Sequence, residues 1–175
     1  MWREYFGPGA HIHGIDLDAS CRSYDSEGVT IHIGDQGDRS FWREFRHAVP
    51  HLDVLIDDGG HLPEQQLVTF EEALGHIAPG GTLVVEDIHG CPNDFSAFIE
   101  RLVGEMHVAN PLPGGKFAPS AFQDVVESLT VLPFMVIVRK RERPLMVLES
   151  ERRGTEWQPA QLLDTSGRVI HGRGA

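Results

Sequence analysis

Long apolar runs are missing from this chain. None approaches the ~18 residues that cross a bilayer, and the start MWREYFGPGAH lacks the basic-then-apolar order of a signal peptide. A membrane protein is therefore not expected. Cysteine is scarce: Cys21 and Cys91 are the only two, with no CxxC spacing. That is too few for a disulfide scaffold and points to a reducing, cytoplasmic setting. Positive charge is also short, with 15 Lys+Arg against 26 Asp+Glu and a net charge of −11, which argues against a partner recognised by its phosphate backbone. The phosphate-cradling signatures GxGxxG and GxxxxGK[ST] do not occur. No GxSxG elbow occurs either, which speaks against a serine hydrolase. There is no internal repeat.

What remains is ordinary globular material of 175 residues, 41% apolar and 23% charged, enough for one domain with a sizeable core. The acidity is uneven. Residues 1–100 hold 5 Lys+Arg against 18 Asp+Glu, a net −13, whereas 101–175 are at +2. A cation, if one binds, belongs in the first hundred residues. Most of those carboxylates need no role beyond a solvated face.

Four short apolar runs stop at acids: HIHGIDLD (11–18), TIHIGD (30–35), VLIDDG (53–58) and, after the turn Pro79-Gly80-Gly81, TLVVED (82–87). Continuous apolar strands mark a parallel sheet covered on both faces. Helical periodicity lies between them at 40–47, with Ser40 as the expected N-cap, at 63–77 and at 94–108. Alternating strand and helix predicts an α/β fold. Beyond a Gly/Pro-rich loop (110–119), two strands at about 125–132 and 134–141, split at Pro133, predict an antiparallel hairpin. Residues 1–143 read as the α/β domain and 144–175 as an extension, with one apolar piece at 145–148. The last ten or so residues are expected to be mobile.

Ligands of open parallel sheets bind at the carboxyl ends of the strands. Here those ends carry Asp16 and Asp18, Asp35 and Gln36, Asp57 and Asp58 with Gly59-Gly60-His61, and Glu86 and Asp87 with His89 behind. Crowded carboxylates repel unless a cation or donors compensate. Asp58, Glu86 and Asp87 are thus candidate ligands for a hard divalent cation, and His61, three residues past Asp58, is a candidate general base. The structural alternative for His61 is a cap on the helix starting near Pro63. Asp57 reads equally as a turn residue. Asp16 sits where a ribose-binding acid belongs, and Asp35 or Gln36 could accept from an adenine amine. His89 stays undecided, and the other eight histidines receive no role.

The series YFGPGAHIHGIDLD, GDQGD, DVLIDDGGH and PGGTLVVEDIHG resembles the class I S-adenosylmethionine-dependent methyltransferases of the macrolide sugar O-methyltransferase and cephalosporin hydroxylase-like type, well over residues 2–90 and loosely over 125–141. The resemblance implies a Rossmann-like, mostly parallel sheet ending in an antiparallel hairpin. It implies S-adenosylmethionine and Mg²⁺ as cofactors, and methyl transfer to a hydroxyl of a sugar or natural product. By motif, Asp58, Glu86 and Asp87 would hold the metal and His61 would be the base. Asp16 would hold the ribose, Asp35 and Gln36 would flank the adenine, and Asp57 would join the cofactor side. It also implies a first strand and glycine-rich loop ahead of the helix near Trp2-Tyr5-Phe6. The sequence lacks both, so an incomplete sheet is expected, with a gap between the strands at 11–18 and 53–58. The acceptor is expected to be a small molecule, neither nucleic acid nor membrane; a homo-oligomer is left open. The competing readings are a non-catalytic relative that binds or assembles, and a metal-dependent hydrolase.

Overall fold

The computed structural model describes residues 2–90, 92–114 and 116–149. The expected mobility of the last residues, and Cys91, lie outside the described residues. In chain order the elements are α1 (Trp2–Phe6), β1 (Ile12–Asp16), a 3₁₀ turn (Ala19–Tyr24), β2 (Val29–Ile33), α2 (Arg39–Ala48), β3 (Val54–Asp57), α3 (Pro63–Leu74), β4 (Thr82–Val85) and α4 (Asp94–Glu105). There follow β5 (Asn110–Leu112), β6 (Lys116–Ala118), α5 (Ala121–Val125), β7 (Val126–Leu132), β8 (Met135–Lys140) and β9 (Leu148–Glu149). No helix among the described residues is long and apolar enough to cross a membrane.

All four acid-terminated runs are strands, in two parallel pairs. β1 pairs with β2, Ile12 opposite Val29. β3 pairs with β4, Val54 opposite Thr82. The second pair continues through antiparallel β8 and β7, in the order β3-β4-β8-β7. Among the described residues no strand lies between β1 and β3, so the expected gap is present. Pro133 and Phe134 make the two-residue hairpin turn, Leu132 facing Met135. Proline sets the first turn position, and Phe134 takes φ 62 at the second, as a type II turn requires.

The core is one cluster. Trp42 and Phe45 of α2, Phe70 and Ala73 of α3, Phe95 and Ile99 of α4, and Leu55, Leu83, Val85, Val126, Val136 and Val138 of the larger sheet are all buried. Leu83 and Val85 alternate with half-exposed neighbours along β4, as period-two packing dictates. Close approaches are glycine's work at two points. A Cβ on Gly34 would lie 2.0 Å from the Phe41 ring, and one on Gly81 would lie 2.4 Å from the Asp53 carbonyl oxygen.

Some local expectations change. The N-cap of α2 is Asp38, not Ser40: the Asp38 carboxylate accepts both the Ser40 amide (2.7 Å) and its hydroxyl (2.6 Å), so a charged acceptor takes the cap two residues earlier. The segment 110–119 is not plain loop. β5 and β6 form a small hairpin there, joined by β9, which takes only Leu148 from the apolar piece at 145–148. α5 is closed by a capping box between Ser120 and Gln123.

His13 and His32 face each other across β1 and β2, Nδ1 to Nε2 at 3.0 Å, beside the Phe45 ring. Burial, followed by the nearby His11 and His32 rings, lowers the pKa of His13 below the usual 6.5. Burial likewise lowers that of His32, Asp25 opposing and Arg22 and His11 adding to the effect. The folded protein therefore binds fewer protons than the unfolded chain in the window below 6.5. Stability is expected to be full above that pH and lost as pH falls through the folded values. Urea denaturation at pH 7.5 and 5.5, with His13→Gln flattening the difference, checks this.

Candidate metal and cofactor site

Gln36, three residues past the end of β2, donates its side-chain amide to Asp57 Oδ1 at the end of β3 (2.9 Å). The carboxyl ends of both parallel pairs therefore lie on the same edge of the molecule. Asp16, Asp35, Asp57, Asp58, Glu86 and Asp87 all belong to that edge.

The structure brings three of the candidates together. One ligand atom each from Asp58, His61 and Asp87 lies within 4.8 Å of the others. His61 Nε2 stands 3.6 Å from Asp87 Oδ2. Two of the three have a left-handed backbone, His61 at φ 55 and Asp87 at φ 52. His and Asp are among the side chains that tolerate this region, at a cost of about 1–3 kcal/mol each. Glu86 is not in this group. Its neighbour Asp87 is turned out of strand geometry, while Glu86 keeps to the wall of the cleft described below. His61 does not cap α3: Leu62 is the N-cap, with no side-chain cap bond. The His61 Nδ1 atom is buried without a partner.

Asp57, 6% exposed, also accepts the Gly59 amide at 3.3 Å, and its Oδ2 is buried without a partner. Gln36 is fully engaged: besides Asp57, its amide donates to Thr69 Oγ1 (3.2 Å), and its Oε1 accepts the Gly60 amide (2.8 Å). Asp16 is exposed; one oxygen accepts the Asp18 amide (2.8 Å). Asp18 caps the 3₁₀ turn through Ser20, the structural role that a lone strand-end aspartate most often has. Asp35, also exposed, folds back on the Gly37 amide (2.7 Å). Asp16 raises the pKa of the Cys21 thiol by hydrogen bonding to it, which keeps that thiol from being a nucleophile near neutrality.

Between β1 and β3 lies a cleft of about 560 Å³. Ile12–Ile15 form one side and Val54–Asp58 the other; Trp42 and Phe45 contribute apolar surface, and Gln36, Gly59 and Glu86 lie at its carboxyl end. It meets the three-residue group at Asp58.

Sequence reasoning missed the supports of this site. Gln66 and Thr69, one turn apart on α3, are 1% and 2% exposed. Two polar residues on the buried face of a helix were a readable signal. His89 has its ring 6.1 Å from His61 and 6.2 Å from Phe134. Only the chain's return at the hairpin turn reveals that.

No family model matches the chain. Individual relatives do. The 8-demethyl-8-α-L-rhamnosyl tetracenomycin-C 2′-O-methyltransferase of Streptomyces olivaceus is 30% identical over 154 residues, 81% of this chain and 40% of that protein. The demethylmacrocin O-methyltransferase of Streptomyces fradiae is 32% identical over 88 residues, 50% of this chain and 22% of that protein. The chain is homologous to the antibiotic-pathway sugar O-methyltransferases. Its fold is that of MycE, a methyltransferase of the mycinamycin pathway solved with Mg, S-adenosylhomocysteine and mycinamycin VI. The TM-score is 0.67 at 24% identity, covering 80% of this chain and 38% of MycE. The chain thus has the class I methyltransferase architecture and spans about two fifths of the length of the S. olivaceus enzyme and of MycE.

If the left-handed backbone at position 87 stores strain, Asp87→Gly removes it. The substitution is expected to raise the free energy of unfolding by about 1 kcal/mol, because the exposed 3.6 Å contact it deletes is worth little. Urea denaturation at pH 7.5 without divalent cations measures it.

Proposed function

We propose that this chain carries the catalytic part of a Mg²⁺-dependent O-methyltransferase acting on a sugar hydroxyl of a natural product. The observation that carries the reading is the convergence of Asp58, His61 and Asp87 at the carboxyl edge, held there by two left-handed backbones. Strained, charge-bearing residues persist where function over-determines them. The homologous O-methyltransferases and the Mg and S-adenosylhomocysteine of the MycE complex support it.

The donor set fits a hard cation. Asp58 and Asp87 offer exposed carboxylate oxygens close together, so water or a hydroxyl could complete the shell. The buried, unanswered Oδ2 of Asp57 at the cleft wall fits a polar ligand arriving there. In this assignment Asp58 and Asp87 hold Mg²⁺, and the cleft takes S-adenosylmethionine. Asp16 meets the ribose hydroxyls, Asp35 the adenine edge, and Asp57 the cofactor wall. The bound groups would supply Lewis acidity toward the acceptor hydroxyl and an activated methyl.

The chain's own residues do the rest. His61 Nε2, beside the carboxylates, takes the hydroxyl proton. Asp87 Oδ2 stands 3.6 Å from that nitrogen. Asp58 and Asp87 fix where the oxygen stands relative to the cleft, so that attack is in line. A positioned base is worth about 10²–10⁴-fold in rate.

Calorimetric titration of Mn²⁺ and S-adenosylhomocysteine tests the assignment. The double variant Asp58→Asn, Asp87→Asn is expected to lose Mn²⁺ binding. Asp16→Ala is expected to weaken S-adenosylhomocysteine roughly 5- to 150-fold, the equivalent of about 1–3 kcal/mol, and to leave Mn²⁺ untouched. His61→Ala should keep the cofactor and lose most methyl transfer to a sugar acceptor. Unchanged Mn²⁺ affinity in the double variant would sink the metal assignment. A wild-type chain that binds neither ligand would favour a non-catalytic relative.

A further inference from the structure

The metal assignment places Asp58 in the turn after β3 and Asp87 in the segment after β4, but neither residue holds itself. Each segment is tied by a glutamine side chain from elsewhere. Gln36 reaches across the cleft from the tip of β2. Its Oε1 accepts the Gly60 amide at 2.8 Å, and its amide donates to buried Asp57 Oδ1 at 2.9 Å and to Thr69 Oγ1 at 3.2 Å. The residues it grips, 57 and 60, bracket Asp58 and lead directly into left-handed His61. The backbone of Gln36 is pinned in turn, its carbonyl accepting Trp42 Nε1 at 2.8 Å. Gln66, buried in α3, donates to the Glu86 carbonyl at 3.0 Å, the peptide immediately before left-handed Asp87. Gly59 leaves the room this needs: a Cβ there would come 1.9 Å from Gln36 Oε1.

We infer that Gln36 and Gln66 are positioning residues of the metal site: Gln36 sets the Asp57–Gly60 turn and Gln66 the Glu86–Asp87 peptide, so that Asp58, His61 and Asp87 meet. Every hydrogen-bonding atom of the Gln36 side chain group is committed to this turn or to Thr69. That is a different role from contacting an adenine ring, and the two are separable. Partners that orient ligands typically carry 10- to 100-fold of metal affinity. The inference rests on the metal reading above.

The test measures Mn²⁺ affinity by electron paramagnetic resonance, S-adenosylhomocysteine affinity by calorimetry, Gly60 amide exchange by NMR, and the melting temperature. The variants are Gln36→Ala, Gly59→Ala and Gln66→Met. Gln36→Ala is expected to weaken Mn²⁺ 10- to 100-fold and accelerate Gly60 exchange, with S-adenosylhomocysteine changed less than about twofold. Gly59→Ala keeps Gln36 but displaces its head group, and is expected to act in the same direction. Gln66→Met keeps the volume and removes the donor to Glu86; it is expected to weaken Mn²⁺ at an unchanged melting temperature, which a merely structural glutamine would not do. Loss of S-adenosylhomocysteine with Mn²⁺ intact in Gln36→Ala would overturn the inference in favour of an adenine contact. Unchanged Mn²⁺ in both glutamine variants would also overturn it. If the wild-type chain binds no Mn²⁺, the metal reading alone has failed. The Gln36 clamp is then decided by Gly60 exchange, and an unchanged rate in Gln36→Ala rejects it.

Discussion

Among the described residues no backbone ladder joins the β1–β2 pair to the β3–β4 pair, so side-chain contacts keep the two in register. The larger share is apolar. Trp42 and Phe45 project from α2 into the common core at 1% and 3% exposure, and burying an aromatic or large aliphatic side chain is worth about 1.5–3 kcal/mol. The ion pairs between the same helices, Arg39 with Glu71 and Glu72, and Arg46 with Glu72, are partly solvated and worth about 0–1 kcal/mol each. Burial therefore sets the distance between the pairs. The Gln36 bridge, which is directional, sets their alignment at the carboxyl edge.

That alignment places the cost and the use of the fold at one point. Two residues there adopt a left-handed backbone, and two carboxylates stand close enough to repel. Asp57 is buried nearby with one oxygen unanswered. None of this stabilises the chain by itself. It is carried by the core beneath, Leu55, Leu83 and Val85 on the sheet with Phe70 and Ala73 of α3. The same α3 supplies Gln66 and Thr69 to the site from its buried face. Core and site thus share the one buried face of α3, and a change in how α3 packs would be felt at Asp58 and Asp87.

Much of this was legible in advance. The apolar runs ending in acids identified four strands, because each run stops where its strand emerges at the carboxyl edge; burial along β3 and β4 alternates rather than covering both faces. Pro133 identified the hairpin turn, because it cannot donate within a ladder. The homology to the sugar O-methyltransferases was carried by residues crowded at strand ends. What sequence reasoning misplaced was local and polar. Asp38 outcompeted Ser40 as a cap because a charged acceptor binds both the amide and the hydroxyl of the residue two further on. β5, β6 and β9 were hidden because each is only two or three residues long, and β9 pairs with β6 from far along the chain, Leu148 opposite Phe117.

The sequence by itself determined the order of strands and helices, the acidic carboxyl edge and the chemical types gathered there, because apolar period and residue chemistry are properties of the chain. Only the tertiary structure decided which carboxylates meet. Glu86 and Asp87 are adjacent in sequence, and no spacing rule separates them. The left-handed turn at Asp87 swings that carboxylate to His61 and Asp58, while Glu86 stays on the cleft wall. Only the tertiary structure, too, could show Gln36 spent on Asp57, Thr69 and Gly60. Those partners lie 21 to 33 residues away along the chain and become neighbours only when the packing of α2 and α3 brings the ends of β2 and β3 together.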